Sequence, residues 1–146
     1  MKIEYRIALL IGSLCLTSCA GQGTTHQDIV RKHYGSWEKD IGYTQVVQQG
    51  KTLYISGVVG SGKNMAEQVE SVYKTIQTML KDFNTDSSRI VKEVVYTKDM
   101  EALKATIELR KSFFADGLYP SSSWIQIDRL FMDEHLLEVE VEVSLP

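Results

Sequence analysis

Proline is nearly absent from this sequence: Pro120 and Pro146 are the only two in 146 residues. With no low-complexity run and no internal repeat either, little room remains for a long linker or a second domain, and one globular domain is the expectation. Clusters of basic residues are lacking as well. The formal net charge is −3, and an acidic chain without a basic stripe speaks against nucleic acid as a partner. Histidine is scarce and scattered. His26, His33 and His135 keep no His-x-x-x-His or carboxylate spacing, so no metal site is expected and no cofactor is implied. The N-terminal apolar run, Ile7 to Leu16, is too short for a bilayer-spanning helix, which needs about 20 residues.

Cysteine is limited to Cys15 and Cys19. Lys2 and Arg6 precede the apolar run and Leu16-Thr17-Ser18-Cys19 ends it, the order of a secretory signal. Small residues directly before a cysteine resemble the lipobox of bacterial lipoproteins. The resemblance implies a signal peptide over 1–18, cleavage before Cys19 and lipidation of its sulfur and amine. At about 0.8 kcal/mol per buried methylene, several acyl chains anchor a protein durably to a membrane. The mature domain then has no thiol, which excludes disulfides, thiolate catalysis and cysteine-ligated zinc. Ala20 is not the aspartate that retains lipoproteins at an inner membrane. An exported, membrane-anchored protein is expected, on the outer membrane and facing the periplasm if the cell has two. Residues 20–28 read as a short tether, within an N-terminal extension that runs to residue 40.

Further along, Tyr43 to Gln49 and Thr52 to Val59 read as strands around a Gly50-Lys51 turn. Residues 29–42 are ambiguous, with Ile29, Val30, Tyr34 and Trp37 able to cover a sheet edge. Met65, Val69, Val72, Tyr73, Ile76, Met79, Leu80 and Phe83 recur at helical steps, with Asn64 placed to cap and Glu67 three residues on. Ile90 to Thr97 is a β-branched strand. Asp99 then caps a second helix with Leu103, Ile107, Leu109, Phe113 and Phe114 on its buried side, stopped by Asp116-Gly117. Pro120 to Leu130 and Leu137 to Val143 read as a terminal hairpin. The order β-β-α-β-α-β-β argues for an α+β layer rather than a doubly wound sheet.

Three stretches invite chemistry. The segment Gly57-Val-Val-Gly-Ser-Gly62-Lys63-Asn64 approaches a phosphate loop, but Asn64 stands where that loop needs a magnesium-binding hydroxyl; a glycine turn is expected. Glu138, Glu140 and Glu142 lie about 6–7 Å apart on one strand face. Two such charges repel by about 0.6 kcal/mol in water and roughly 2–3 kcal/mol at an effective dielectric of 20, so a solvated face tolerates them, whereas a buried one gains a raised pKa suited to a general base. If Ile125 and Ile127 share the buried face with Leu137, Val139 and Val141, then Ser122, Trp124, Gln126 and Asp128 join the glutamate face.

Ile41-Gly42-Tyr43-Thr44-Gln45-Val46, Leu53-Tyr54-Ile55-Ser56-Gly57, the helix around Glu67-Gln68, Val94-Val95-Tyr96-Thr97 and Pro120-Ser-Ser-Ser-Trp … Glu138-Val139-Glu140 together resemble the Rid (YjgF-type, reactive intermediate deaminase) superfamily over residues 41–146. The resemblance implies a chorismate-mutase-like β-sheet with two helices on one face, and a homotrimer with small-molecule clefts between subunits. It implies hydrolysis of enamines and imines, with Glu138 in the place of the glutamate that positions water. Tyr43, Gly57, Ser122, Ser123 and Trp124 fall at substrate-binding positions. Ser122 stands where the deaminase branch has an arginine that clamps the substrate carboxylate, and a hydroxyl cannot replace that bidentate, charge-assisted pair. Two readings stay open: a lipid-anchored hydrolase for an imine lacking a carboxylate, or a trimer that binds a small ligand or acts as a scaffold without turnover.

Overall fold

The computed structural model describes residues 29–146; the expected signal peptide, Cys19 and the tether lie outside them. Within them the strands are β1 (Ile29–Lys32), β2 (Val46–Gln49), β3 (Thr52–Val59), β4 (Ile90–Thr97), β5 (Ser121–Gln126) and β6 (Leu137–Ser144). The helices are α1 (Trp37–Ile41), α2 (Met65–Lys81), α3 (Met100–Lys104) and α4 (Ile107–Lys111). The strands form one sheet in the order β1-β2-β3-β6-β4-β5. Every pairing is antiparallel except β4 with β5. This is the expected α+β architecture, with the helices on one face of a mixed sheet.

Alternation decides which side chains meet the helices. Leu137, Val139, Val141 and Val143 of β6 are buried with Leu53, Ile55 and Val58 of β3 and with Val69, Val72, Tyr73, Ile76 and Leu80 of α2. Each contributes about 1.5–3 kcal/mol before the entropy of ordering is subtracted. Asn64 Oδ1 accepts from Glu67 N at 3.0 Å, and Glu67 Oε2 reaches back to Lys63 N at 2.8 Å. This reciprocal cap starts α2 where expected, one residue wider than the usual box. The glycine-rich approach is a turn against that helix: a methyl on Gly60 would fall 2.2 Å from the Gln68 carbonyl oxygen.

Two expectations need correction, and one ambiguity is resolved. The C-terminal strands are not a hairpin, because β4 lies between β5 and β6. Residues 127–136 straddle the end of β4, held by Ile127 N on Thr97 O at 2.9 Å and Lys98 N on Leu136 O at 3.0 Å. A ten-residue connection can make that jump; a tight hairpin turn cannot. The second helix is broken into α3 and α4. Buried Thr106 sits at φ −101°, ψ 9° and donates its hydroxyl to Leu103 O at 2.7 Å, a local bond that competes with the helical ladder. Beyond the break Ile107 is exposed. Finally, the ambiguous residues 29–42 supply β1, which pairs with β2, and the short helix α1.

Candidate functional site

Between Ile55 and Val58 the register of β3 against β6 slips by one residue, a bulge at Ser56-Gly57. Bulges re-aim side chains, and this one sets Gly57 beneath Glu138. A methyl on Gly57 would lie 1.8 Å from Glu138 Oε1, so only glycine leaves the carboxylate its place. Around it is a cavity of about 580 Å³ on the face of the sheet away from α2. Tyr43, Ser56, Gly57, Glu138 and Glu140 line it, with Trp37 and Ile41 of α1, Val59, and Phe131, Met132 and His135 of the long connection.

Glu138 has no hydrogen-bond donor among the described residues. Burial raises its pKa above the ordinary glutamate range, Glu140 adds to the rise, and His135 offsets it in part. His135 Nδ1 is 3.1 Å from Gly60 O, which fixes that nitrogen as the protonated one. A carboxyl so placed binds a proton more readily than an exposed glutamate, the direction general acid–base chemistry calls for.

The far wall rests on Glu38, a fully buried carboxylate. It accepts from Tyr34 N at 2.5 Å, Gly35 N at 2.9 Å and Gln45 N at 2.8 Å, with His33 Nδ1 at 2.8 Å. Burial alone would raise its pKa; the three backbone N–H groups and His33 outweigh that and lower it. The same contacts tie α1 to the start of β2. Gln45 Nε2 then donates to Ser56 O at 2.8 Å, linking β2 to the bulge. Trp37 Nε1 donates to the Tyr43 hydroxyl at 3.0 Å, which sets the indole at the cavity edge.

The structure brings Glu138, Tyr43 and Gly57 together and separates Ser122 and Trp124 from them. In β5 the register pairs Ser122 with Glu93 and Trp124 with Val95, both core-facing, so the parity read from the sequence is reversed. Ile125 is 42% exposed, on the glutamate side with Ser123. Treating isoleucine as the buried partner fails on this edge strand, where an indole covers a buried ion pair instead. Glu93 is fully buried and accepts from Arg110 Nη2 at 2.6 Å, Arg110 Nε at 2.9 Å, the Tyr73 hydroxyl at 2.8 Å and the Ser122 hydroxyl at 2.7 Å. Trp124 Nε1 donates to Ser122 Oγ at 2.9 Å, and the Arg110 guanidinium lies 5.6 Å from the Trp124 ring centroid.

Sequence reasoning missed Trp37, Phe131, Met132 and His135 as cavity residues and left Glu140 open between a solvated and a buried face. For Glu140 a signal existed, since it follows Glu138 by one strand repeat. The others sit in α1 and the long connection, where periodicity carries no information.

The strand order, the helices on one face and the cavity on the other define an α+β domain of the YjgF type. A YjgF/YER057c/UK114 family structure from Mycobacterium tuberculosis superimposes with a TM-score of 0.75 at 22% identity, covering 81% of this chain and all of that one. The "RutC family protein UK114" of Drosophila melanogaster is 28% identical over 106 residues, 67% of this chain and 75% of the relative. The mouse (Mus musculus) "2-iminobutanoate/2-iminopropanoate deaminase" is 31% identical over 96 residues, 60% of this chain and 70% of the relative. The chain belongs to the Endoribonuclease L-PSP family, whose model matches residues 38–144.

Proposed function

We propose that the chain is a hydrolase of the enamine or imine deaminase type whose substrate lacks a carboxylate, working in clefts between the subunits of a homotrimer. The observation that carries this reading is Glu138, unpartnered in the cavity beside Tyr43, over Gly57, with its pKa raised by burial. A similarity to a protein named as an imine deaminase supports the reaction class. Water adds across the C=N bond, its proton passing to Glu138 and the carbon gaining an oxygen. Starting from the protonated imine, Glu138 returns that proton to nitrogen, and the C–N bond breaks as the hydroxyl gives up its proton, leaving a carbonyl compound and ammonia. Tyr43 and Gly57 border the ligand, while Ser122, Ser123 and Trp124 belong to the edge strand β5, which on this reading reaches the cleft from a second subunit. Turnover is tested by ammonia release from a panel of imines, expected with the wild-type chain and lost in Glu138→Ala.

A second reading, ligand binding or scaffolding without turnover, is favoured by the Ser122 hydroxyl, which is engaged by Glu93 and Trp124. Thermal stabilisation by metabolites that are never consumed would support it and count against hydrolysis.

We also propose that the chain is exported and lipid-anchored through Cys19, on the order of the charged, apolar and lipobox segments. Intact-mass analysis of the membrane fraction should show a chain beginning at an acylated Cys19. An unmodified chain that retains Met1–Ser18 would contradict the anchor.

A further inference from the structure

The cavity is large enough for a small organic molecule, about 580 Å³ against roughly 300–1,000 Å³ for typical ligand sites. Its lining combines two carboxylates, Glu138 and Glu140, with the rings of Trp37, Tyr43 and Phe131 and the thioether of Met132. Among the described residues of one subunit, no lysine or arginine lines it. Of the cations around it, Lys39 in α1 and Arg129 before Phe131 flank the walls without lining the cavity, and three others are committed. Lys92 pairs with Glu142 at 3.3 Å, Lys98 Nζ donates to Asp133 O at 2.5 Å, and Arg110 is bound to Glu93 on the opposite face of the sheet. His135 is the one lining residue able to carry positive charge. With both glutamates ionised, the wall stays net negative whichever form His135 takes.

Within one subunit Trp37 and Phe131 are 53% and 76% exposed, so the rings are not used by its core. Aromatic faces attract cations through the ring quadrupole, and the attraction grows when water is excluded. Carboxylates beside them supply the full charge. An anion here would meet Glu138 and Glu140, and of this subunit's described lining only His135 could offset them.

We propose that the cavity is a site for an organic cation, a protonated amine or iminium carried on an apolar or aromatic body. The inference rests on this cavity being the site used in the proposed function, and it names the substrate class that site selects. It does not require turnover.

The test is isothermal titration of the full chain in a nonionic detergent at pH 7.5 with three probes of similar size: 2-phenylethylamine, 2-phenylethanol and 3-phenylpropanoate. The amine should bind at least tenfold more tightly than either of the others. That preference should fall at least tenfold in Glu138→Gln/Glu140→Gln, with binding of the alcohol unchanged. Glu140→Gln alone and Trp37→Leu, at an exposed side chain, each lower amine affinity and keep the test interpretable if the double variant does not fold. Equal or tighter binding of the carboxylate or the alcohol, an undiminished preference in the variants, or no binding of the amine would each overturn the proposal. Amine binding with no imine hydrolysed would sink the hydrolase reading alone. Glu138-dependent hydrolysis of an anionic imine in preference to a cationic one would sink the cation site alone.

Discussion

Glu138 and Glu93 show how neighbours decide what a buried carboxylate does. Glu93 is saturated by Arg110, Tyr73 and Ser122 and is part of the architecture. Removing one partner of such a pair costs about 3–5 kcal/mol, because the other charge stays buried, whereas replacing both with apolar groups costs far less. Arg110→Met should therefore lower the unfolding free energy by about that amount in chemical denaturation, and Glu93→Met/Arg110→Met should recover most of it. Glu138 is the opposite case. A carboxyl whose folded pKa is raised contributes its stability fully below the unfolded pKa and loses it as pH rises through the folded value. Glu138→Gln should then melt a few degrees higher than wild type at pH 7.5 and show no gain at pH 4. A destabilised variant at neutral pH would mean that the carboxylate has a partner in the assembled protein.

At the scale of elements, the bulge in β3 links fold to site. Gly57→Ala removes the space that Glu138 occupies but asks nothing unusual of the backbone. Ammonia release should fall to the level of Glu138→Ala while unfolding free energy stays within about 1 kcal/mol of wild type. Retained activity would show that Glu138 works from another position. The same elements show what was legible in the sequence. Alternation through Leu137 to Val143 and the three- and four-residue steps of α2 are local patterns, and both elements are where they were expected. The position of β4 between β5 and β6 depends on long-range pairing, which no local pattern carries. The face of β5 was misread because Trp124 caps Arg110 and Ile125 is left outside. Of the candidate site, Glu138, Tyr43 and Gly57 were legible through resemblance. The aromatic wall was not, since Trp37 and Phe131 are brought in by a short helix and a long connection.

At the scale of the molecule, the chain joins an acidic, cation-poor cavity to a fold shared with relatives that include a named imine deaminase. The guanidinium closest to Ser122 is neutralised by Glu93, so the edge strand offers no free positive charge to a substrate carboxylate. On the proposed hydrolase reading, this favours imines without that group. The most direct measurement is ammonia release from a carboxylate-free cationic imine and from a 2-imino acid, run side by side with wild type and Glu138→Ala. The account predicts at least tenfold higher kcat/KM on the carboxylate-free imine, abolished by the substitution. Faster hydrolysis of the imino acid, or no Glu138-dependent release from either compound, would contradict it.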